Sequence, residues 1–272
     1  NNIESISESC SGLATLHLLE QMDKKSSFSF RADGYLKDLE KITPNKLYKY
    51  YKDVLKSDTV DIYIAGNIDV EKVKKLVTEH FLINTIKKPL ESHFLIHEKF
   101  RKRAKTIVEK TQFHQSQLRI GLKLTDLTDF ERKYVMNIYN YILGGGPDSL
   151  LFRVVREKNS LCYSVSSHIS KVFNMTIKAG INAKDFKKAV KLIRKELTNM
   201  EKGKFTEEDI EKAKTVYTSS FLSILDSPSN LIGLYEACEY FDWDLVEERI
   251  INTKKVTKEM VIAVSKKIKL DT

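Results

Sequence analysis

The chain predicts an α+β fold, mainly antiparallel sheet with helices packed on one face. Three observations carry that prediction. Residues 117–124 (QLRIGLKL) alternate Leu118, Ile120, Leu122 and Leu124 with polar partners, the two-residue period of a strand with one buried face. Residues 173–181 alternate in the same way shortly after a strand-like segment at 161–166, which predicts an antiparallel pair. Around these run segments whose apolar residues recur three and four apart, as at 130–143 and 184–200, the period of amphipathic helices.

With 272 residues the chain can form one large or two modest cores. Charged residues make up 31% and hydrophobic ones 42%, an ordinary soluble composition. No apolar run approaches the ~20 residues needed to span a bilayer, and the first residues lack the pattern of a signal peptide. A chain without an initiator methionine is expected to be an excised fragment. The net charge of +9 comes from lysines spread along helical segments, without an aromatic platform, so solvated helix faces explain it better than a nucleic-acid surface. Cys10, Cys162 and Cys238 are odd in number and lack a C-x-x-C spacing. They predict free thiols in a reducing compartment, hence a cytoplasmic location.

Taken in order, residues 11–22 predict a helix with Leu13, Leu16 and Leu19, or Leu18 and Met22, on its apolar side. Thr43 and Pro44 predict the capped start of a second helix. Residues 60–69 alternate as a strand and break at Gly66-Asn67, and a helix is expected over 70–81. Between 82 and 103 a linker is predicted; His93 and His97 are four apart, but Pro89 and the mixed composition make them exposed linker residues. Strands are expected at 106–110 and 117–124. Beyond 182 the pattern is helical, with Thr206 and Asp209 forming a capping box, a break at 226–229, and helices at 231–240, 244–252 and from 256. No final strand is expected after the last helix.

The stretch that organises the chain is 143–167, LGGGPDSLLFRVVREKNSLCYSVSS. Gly144, Gly145 and Gly146 permit backbone shapes a β-carbon would forbid. Pro147 fixes φ, and Asp148 or Ser149 can cap a helix. Leu150, Leu151, Val154 and Val155 give that helix one buried stripe, Asn159 stops it, and Leu161, Tyr163 and Val165 alternate as a strand. A helix ending in Arg156 followed by a strand carrying Tyr163 can bring a guanidinium and a phenol together, two donors that suit a peptide carbonyl or the oxyanion derived from it. On spacing alone the same residues read more readily as a surface arginine and a core-edge tyrosine.

This stretch resembles the C-terminal domain signature of the insulinase (pitrilysin-like, M16) zinc metallopeptidases: a glycine-rich turn, Ser149, Leu151-Phe152, Arg156-Glu157 and Tyr163. The resemblance implies that Arg156 and Tyr163 hold the substrate carbonyl across a cleft from the zinc. It also implies two related domains of mainly antiparallel sheet with helices on one face, an M16 or metallohydrolase-like fold. Residues 1–90 would be the C-terminal part of a first domain, 91–103 a linker, and 104–272 a second domain lacking its final strand. The family's zinc motif is H-x-x-E-H. His17-Leu18-Leu19-Glu20-Gln21 comes one residue short of it, but a glutamine amide is a poor substitute for imidazole, and the motif belongs near the start of a domain, not its end.

Accordingly no catalytic residue, metal ligand or cofactor is expected in this chain, with zinc in the catalytic half of the assembly. The resemblance implies the non-catalytic, substrate-holding half of a bacterial M16 peptidase. Its partners would be a catalytic M16 half or subunit and a peptide substrate, in a homo- or heterodimer, without nucleic acid or membrane. Two alternatives stay open: an active parent whose H-x-x-E-H lies upstream of residue 1, and a structural dimerisation subunit without peptide chemistry.

Overall fold

A computed structural model of the protein describes residues 3, 9–22, 29–58, 60–81, 101–112, 115–170 and 174–272. In chain order the main elements are α1 (Cys10–Met22), α2 (Pro44–Ser57), α3 (Val70–His80) and β1 (Ser116–Leu124). Helix α4 follows in three successive windings, Glu131–Val135, Met136–Asn140 and Tyr141–Gly145, the outer two in π register. Helix α5 starts at Leu150 and is π-wound over Phe152–Lys158. Then come β2 (Cys162–Ile169), β3 (Asn174–Ile181), α6 (Phe186–Glu201), α7 (Glu207–Ser223), α8 (Pro228–Phe241), α9 (Val246–Lys254), α10 (Lys258–Ser265) and β4 (Ile268–Leu270). Contacts divide the chain into two compact units: Asn1–Gly34, Phe94–Ser220 and Val246–Thr272 in one, Tyr35–His93 and Phe221–Leu245 in the other. The expected histidines His93 and His97 lie outside the described residues.

The larger unit carries a four-stranded antiparallel sheet in the order β2-β3-β1-β4. Its core lies on one face. Leu118, Ile120, Leu122 and Leu124 of β1 and Met175, Ile177, Ala179 and Ile181 of β3 meet buried residues of α4, α5, α6, α7 and α10. Helix α6 shows how the pattern works: Ala189, Ile193, Glu196 and Met200 are buried while lysines fill the opposite side. Thr206 and Asp209 form the expected capping box, with the Thr206 N–H donating to Asp209 Oδ2 at 2.8 Å and the Asp209 N–H donating to Thr206 Oγ1 at 3.1 Å.

Three expectations need correction here. Helices do not keep to one face, because α1 lies on the other side of β1. Met22 there is so close to Gly121 that a β-carbon would come within 2.4 Å of its sulfur, and Arg119 donates to Thr15 and Ser11 of the same helix. Residues 106–110 join no ladder among the described residues; their segment is tied to the sheet end by the Lys105 N–H, which donates to the Asp271 carbonyl at 3.0 Å. The chain does have a final strand: β4 pairs with β1 through Leu122–Leu270 and Lys123–Lys269. Three residues are too few to announce a strand by alternation.

In the smaller unit, Thr43 caps α2 by accepting from the Lys46 N–H, with Pro44 in the first turn, and Asp69 caps α3. Residues 60–65 join no ladder among the described residues; alternation makes a strand only where a neighbour supplies the hydrogen bonds. Helix α8 ends at Asp242, whose φ of 52° is left-handed. No helix among the described residues is long and apolar enough to cross a membrane.

Acid sensitivity follows from the carboxylates of the larger unit. Partial burial opposes charge at Asp209, yet hydrogen bonds from Thr206 and the Arg153 ion pair hold its carboxyl below the usual range. Partial burial also opposes the charges of Asp129 and Glu131. Arg132 and Lys133 beside Asp129, and Lys267 and Thr128 beside Glu131, nevertheless bring these carboxyls down as well. Depressed native values give stability that is complete above the unfolded values, near ~4, and is lost as pH falls through the native ones. Urea unfolding of Asp209→Asn at pH 6 and pH 3 is therefore expected to show a weaker pH dependence than wild type; identical slopes would contradict this.

Candidate functional site

The site is assembled at the junction of α4, α5 and β2. The three glycines serve close packing rather than unusual dihedral angles. None of Gly144, Gly145 and Gly146 has a positive φ, and Gly146 is extended at φ −94°, ψ 159°. At Gly144 a β-carbon would lie 2.7 Å from Ser167 Oγ and 2.8 Å from the Ser167 backbone nitrogen. At Gly145 it would lie 2.7 Å from Asn140 Nδ2. Bare backbone thus lets the end of α4 press onto β2. The Ser167 hydroxyl, buried in this contact, donates to Asn140 Oδ1 at 2.7 Å, so a polar strand residue is accommodated in the core. Gly144→Ala is expected to cost about 1–3 kcal/mol through overpacking, read as a lowered melting temperature; an unchanged one would contradict the contact.

Neither expected cap uses its side chain. Asp148 faces Lys212 at 3.7 Å, and the buried Ser149 Oγ has no hydrogen-bond partner among the described residues. Instead the Ser149 carbonyl accepts from the Arg153 N–H at 2.9 Å as the helix starts. Leu151 and Val155 are fully buried and fix α5 against the core, while Arg153 pairs with Asp209 at 3.0 Å. At the other end Asn159 Nδ2 donates to the Val154 carbonyl at 2.9 Å. Ser160 takes a left-handed φ of 50°, which ends the helix sharply.

Tyr163 departs from the predicted alternation. Cys162 pairs with Ile181 but Val165 pairs with Ala179, so the strand carries a bulge between them. The extra residue re-aims the local side chains. Leu161 and Val165 are buried as expected, whereas Tyr163 is 80% exposed. It is not the core-edge tyrosine of the alternative reading.

The structure brings Arg156 and Tyr163 together. The guanidinium carbon of Arg156 lies 5.4 Å from the Tyr163 ring centroid and 4.5 Å from that of Phe152. Among the described residues no carboxylate pairs with Arg156. Nearby, burial pushes the Cys162 thiol up, partly offset by the Arg156 charge. A cation between rings with its N–H donors uncommitted, beside a phenol, can hold an electron-rich oxygen. Phe152 was not among the expected site residues. The available signal was an aromatic four positions before the arginine on one helix.

A zinc site does not fit the residues around His17. Its Nδ1 lies 2.6 Å from Glu109 Oε2, Glu20 is paired with Arg31 at 2.8 Å, and Gln21 Oε1 accepts from Lys105 Nζ at 2.8 Å. Each group of the near-motif has a separate structural partner. Among the described residues no group of three or more His, Cys, Asp and Glu side chains is placed to hold a metal ion.

An α+β fold with a four-stranded antiparallel sheet carries this arginine–tyrosine pair. Residues 41–217, more than half of the chain, match the family described as the peptidase M16 inactive domain, and the chain belongs to that family. It is 29% identical over 262 residues to the probable inactive metalloprotease YmfF of Bacillus subtilis strain 168, covering 95% of this chain and 61% of that one. It is 27% identical over 247 residues to the uncharacterized zinc protease SCO5738 of Streptomyces coelicolor, covering 86% of this chain and 53% of that one. The crystal structure of a conserved protein from Enterococcus faecalis V583 superposes with a TM-score of 0.87 at 26% identity, covering 99% of this chain and 64% of that one. The chain therefore spans 61% and 53% of the length of these two curated relatives.

Proposed function

We propose that this chain is the non-catalytic, substrate-holding portion of an M16-type peptidase, acting on peptides or small proteins together with a catalytic half. The observation that carries the reading is the uncommitted Arg156 guanidinium beside the exposed Tyr163. In that role both groups donate to a substrate carbonyl oxygen and to the oxyanion it becomes on attack, while the chemistry at the scissile bond belongs to the partner half. The name of the B. subtilis relative, a probable inactive metalloprotease, supports it.

The accompanying domain organisation is residues 1–90 as the end of a first M16-type domain, 91–103 as linker and 104–272 as the second domain. The catalytic half is either a separate subunit in a dimer or an upstream part of the same polypeptide. The separate subunit is favoured by the B. subtilis relative, named a probable inactive metalloprotease; the S. coelicolor relative, named a zinc protease, favours the second arrangement. A cytoplasmic location accords with three free cysteines. Mixing the chain with a catalytic M16 half and assaying cleavage of a quenched fluorescent peptide tests the reading. Stimulation that requires Arg156 is expected; no stimulation, or stimulation indifferent to Arg156, would overturn it.

A further inference from the structure

We propose that Phe152 is a positioning residue of this site, whose ring holds the Arg156 guanidinium so that its N–H donors meet a peptide oxygen from a fixed place. The inference rests on the carbonyl-holding reading above. Phe152 is half-buried at the start of the π-wound part of α5, one turn before Arg156, and its ring centroid is 4.5 Å from the guanidinium carbon. The bulge of β2 delivers a second ring, that of Tyr163, at 5.4 Å. The arginine is thus held by two aromatic rings from separate elements.

The choice of rings over an acid has a chemical consequence. A carboxylate beside Arg156 would fix it equally well, but would take two of its donors and cancel its charge. An aromatic face attracts the cation through its quadrupole and leaves the strong N–H donors available. A guanidinium already restrained in this way has less freedom to lose when a ligand arrives. Arg153 on the same helix makes the contrast: it is paired with Asp209 at 3.0 Å and acts as a structural tie.

The test compares wild type with Phe152→Leu, Phe152→Tyr and Arg156→Ala in two measurements. In proton–nitrogen spectra the Arg156 Nε–H proton is expected upfield through ring currents. It should move downfield in Phe152→Leu and stay in place in Phe152→Tyr. A resonance that Phe152→Leu leaves unmoved would overturn the proposal.

The second measurement titrates an acetylated, amidated alanine–serine hexapeptide. Phe152→Leu should bind about two- to fivefold more weakly, Phe152→Tyr like wild type, and Arg156→Ala at least about tenfold more weakly. If Arg156→Ala weakens binding and Phe152→Leu does not, the positioning role falls while the carbonyl-holding reading stands. Equal binding by wild type and Arg156→Ala removes the carbonyl-holding reading, and with it the role assigned to Phe152.

Discussion

Asp271→Ala is expected to lower the stability of the larger unit by about 3 kcal/mol or more, the scale of breaking a buried ion pair from one side. The Asp271 side chain is 2% exposed; Oδ2 accepts from Arg101 Nη1 at 2.8 Å and Oδ1 faces the buried Lys123 Nζ at 3.4 Å. Its backbone N–H donates to the Gly121 carbonyl at 2.9 Å and its carbonyl accepts from the Lys105 N–H. One residue therefore joins the end of β4, the middle of β1 and the segment that enters the sheet. Truncation removes the carboxylate facing both cations in a setting that water reaches poorly. Urea unfolding checks this, and an unchanged midpoint would contradict it. Replacing Asp271 together with its buried partner, as in Lys123→Met with Asp271→Leu, should cost less than Asp271→Ala alone, since the buried ammonium goes with the carboxylate and the remaining cation, Arg101, is partly exposed.

Arg156→Ala is expected to lower kcat/KM of the assembled peptidase about 100-fold, the usual scale for loss of one oxyanion donor. Tyr163→Phe removes a neutral donor and keeps the ring beside Arg156, so a smaller loss of about tenfold is expected. The division between kcat and KM identifies the role. A fall in kcat assigns the pair to the developing oxyanion, whereas a rise in KM at constant kcat assigns it to holding the bound carbonyl. Unchanged kinetics in both variants would contradict any contact with substrate.

Much of the fold was legible where one segment decides its own environment. Leu118, Ile120, Leu122 and Leu124 face one core, so alternation alone places their strand. Thr206 with Asp209 and Thr43 with Pro44 are local caps, complete within four residues. What stayed hidden depends on residues distant in sequence. The position of α1 is set by Met22 against Gly121, and β4 owes its pairing to β1. The exposure of Tyr163 comes from a register shift against β3, which no inspection of residues 161–165 alone can reveal.

For the candidate site, the motif pointed to Arg156 and Tyr163, and the structure places the guanidinium beside the ring. The glycines were read for conformational freedom, whereas their use is the closeness of α4 to the Ser167 backbone. His17 and Glu20 are set aside as a zinc site on chemistry, since Gln21 lacks an imidazole. The partners that occupy them, Glu109 and Arg31, could be known only from the fold.

The most direct measurement of the central claim determines bound zinc and peptide hydrolysis for this chain alone and after mixing with a catalytic M16 half. The account predicts no stoichiometric zinc and no hydrolysis by the chain alone. Hydrolysis should appear on mixing and fall sharply in Arg156→Ala. Stoichiometric zinc and hydrolysis by the chain alone, both lost on replacing His17 or Glu20, would contradict it.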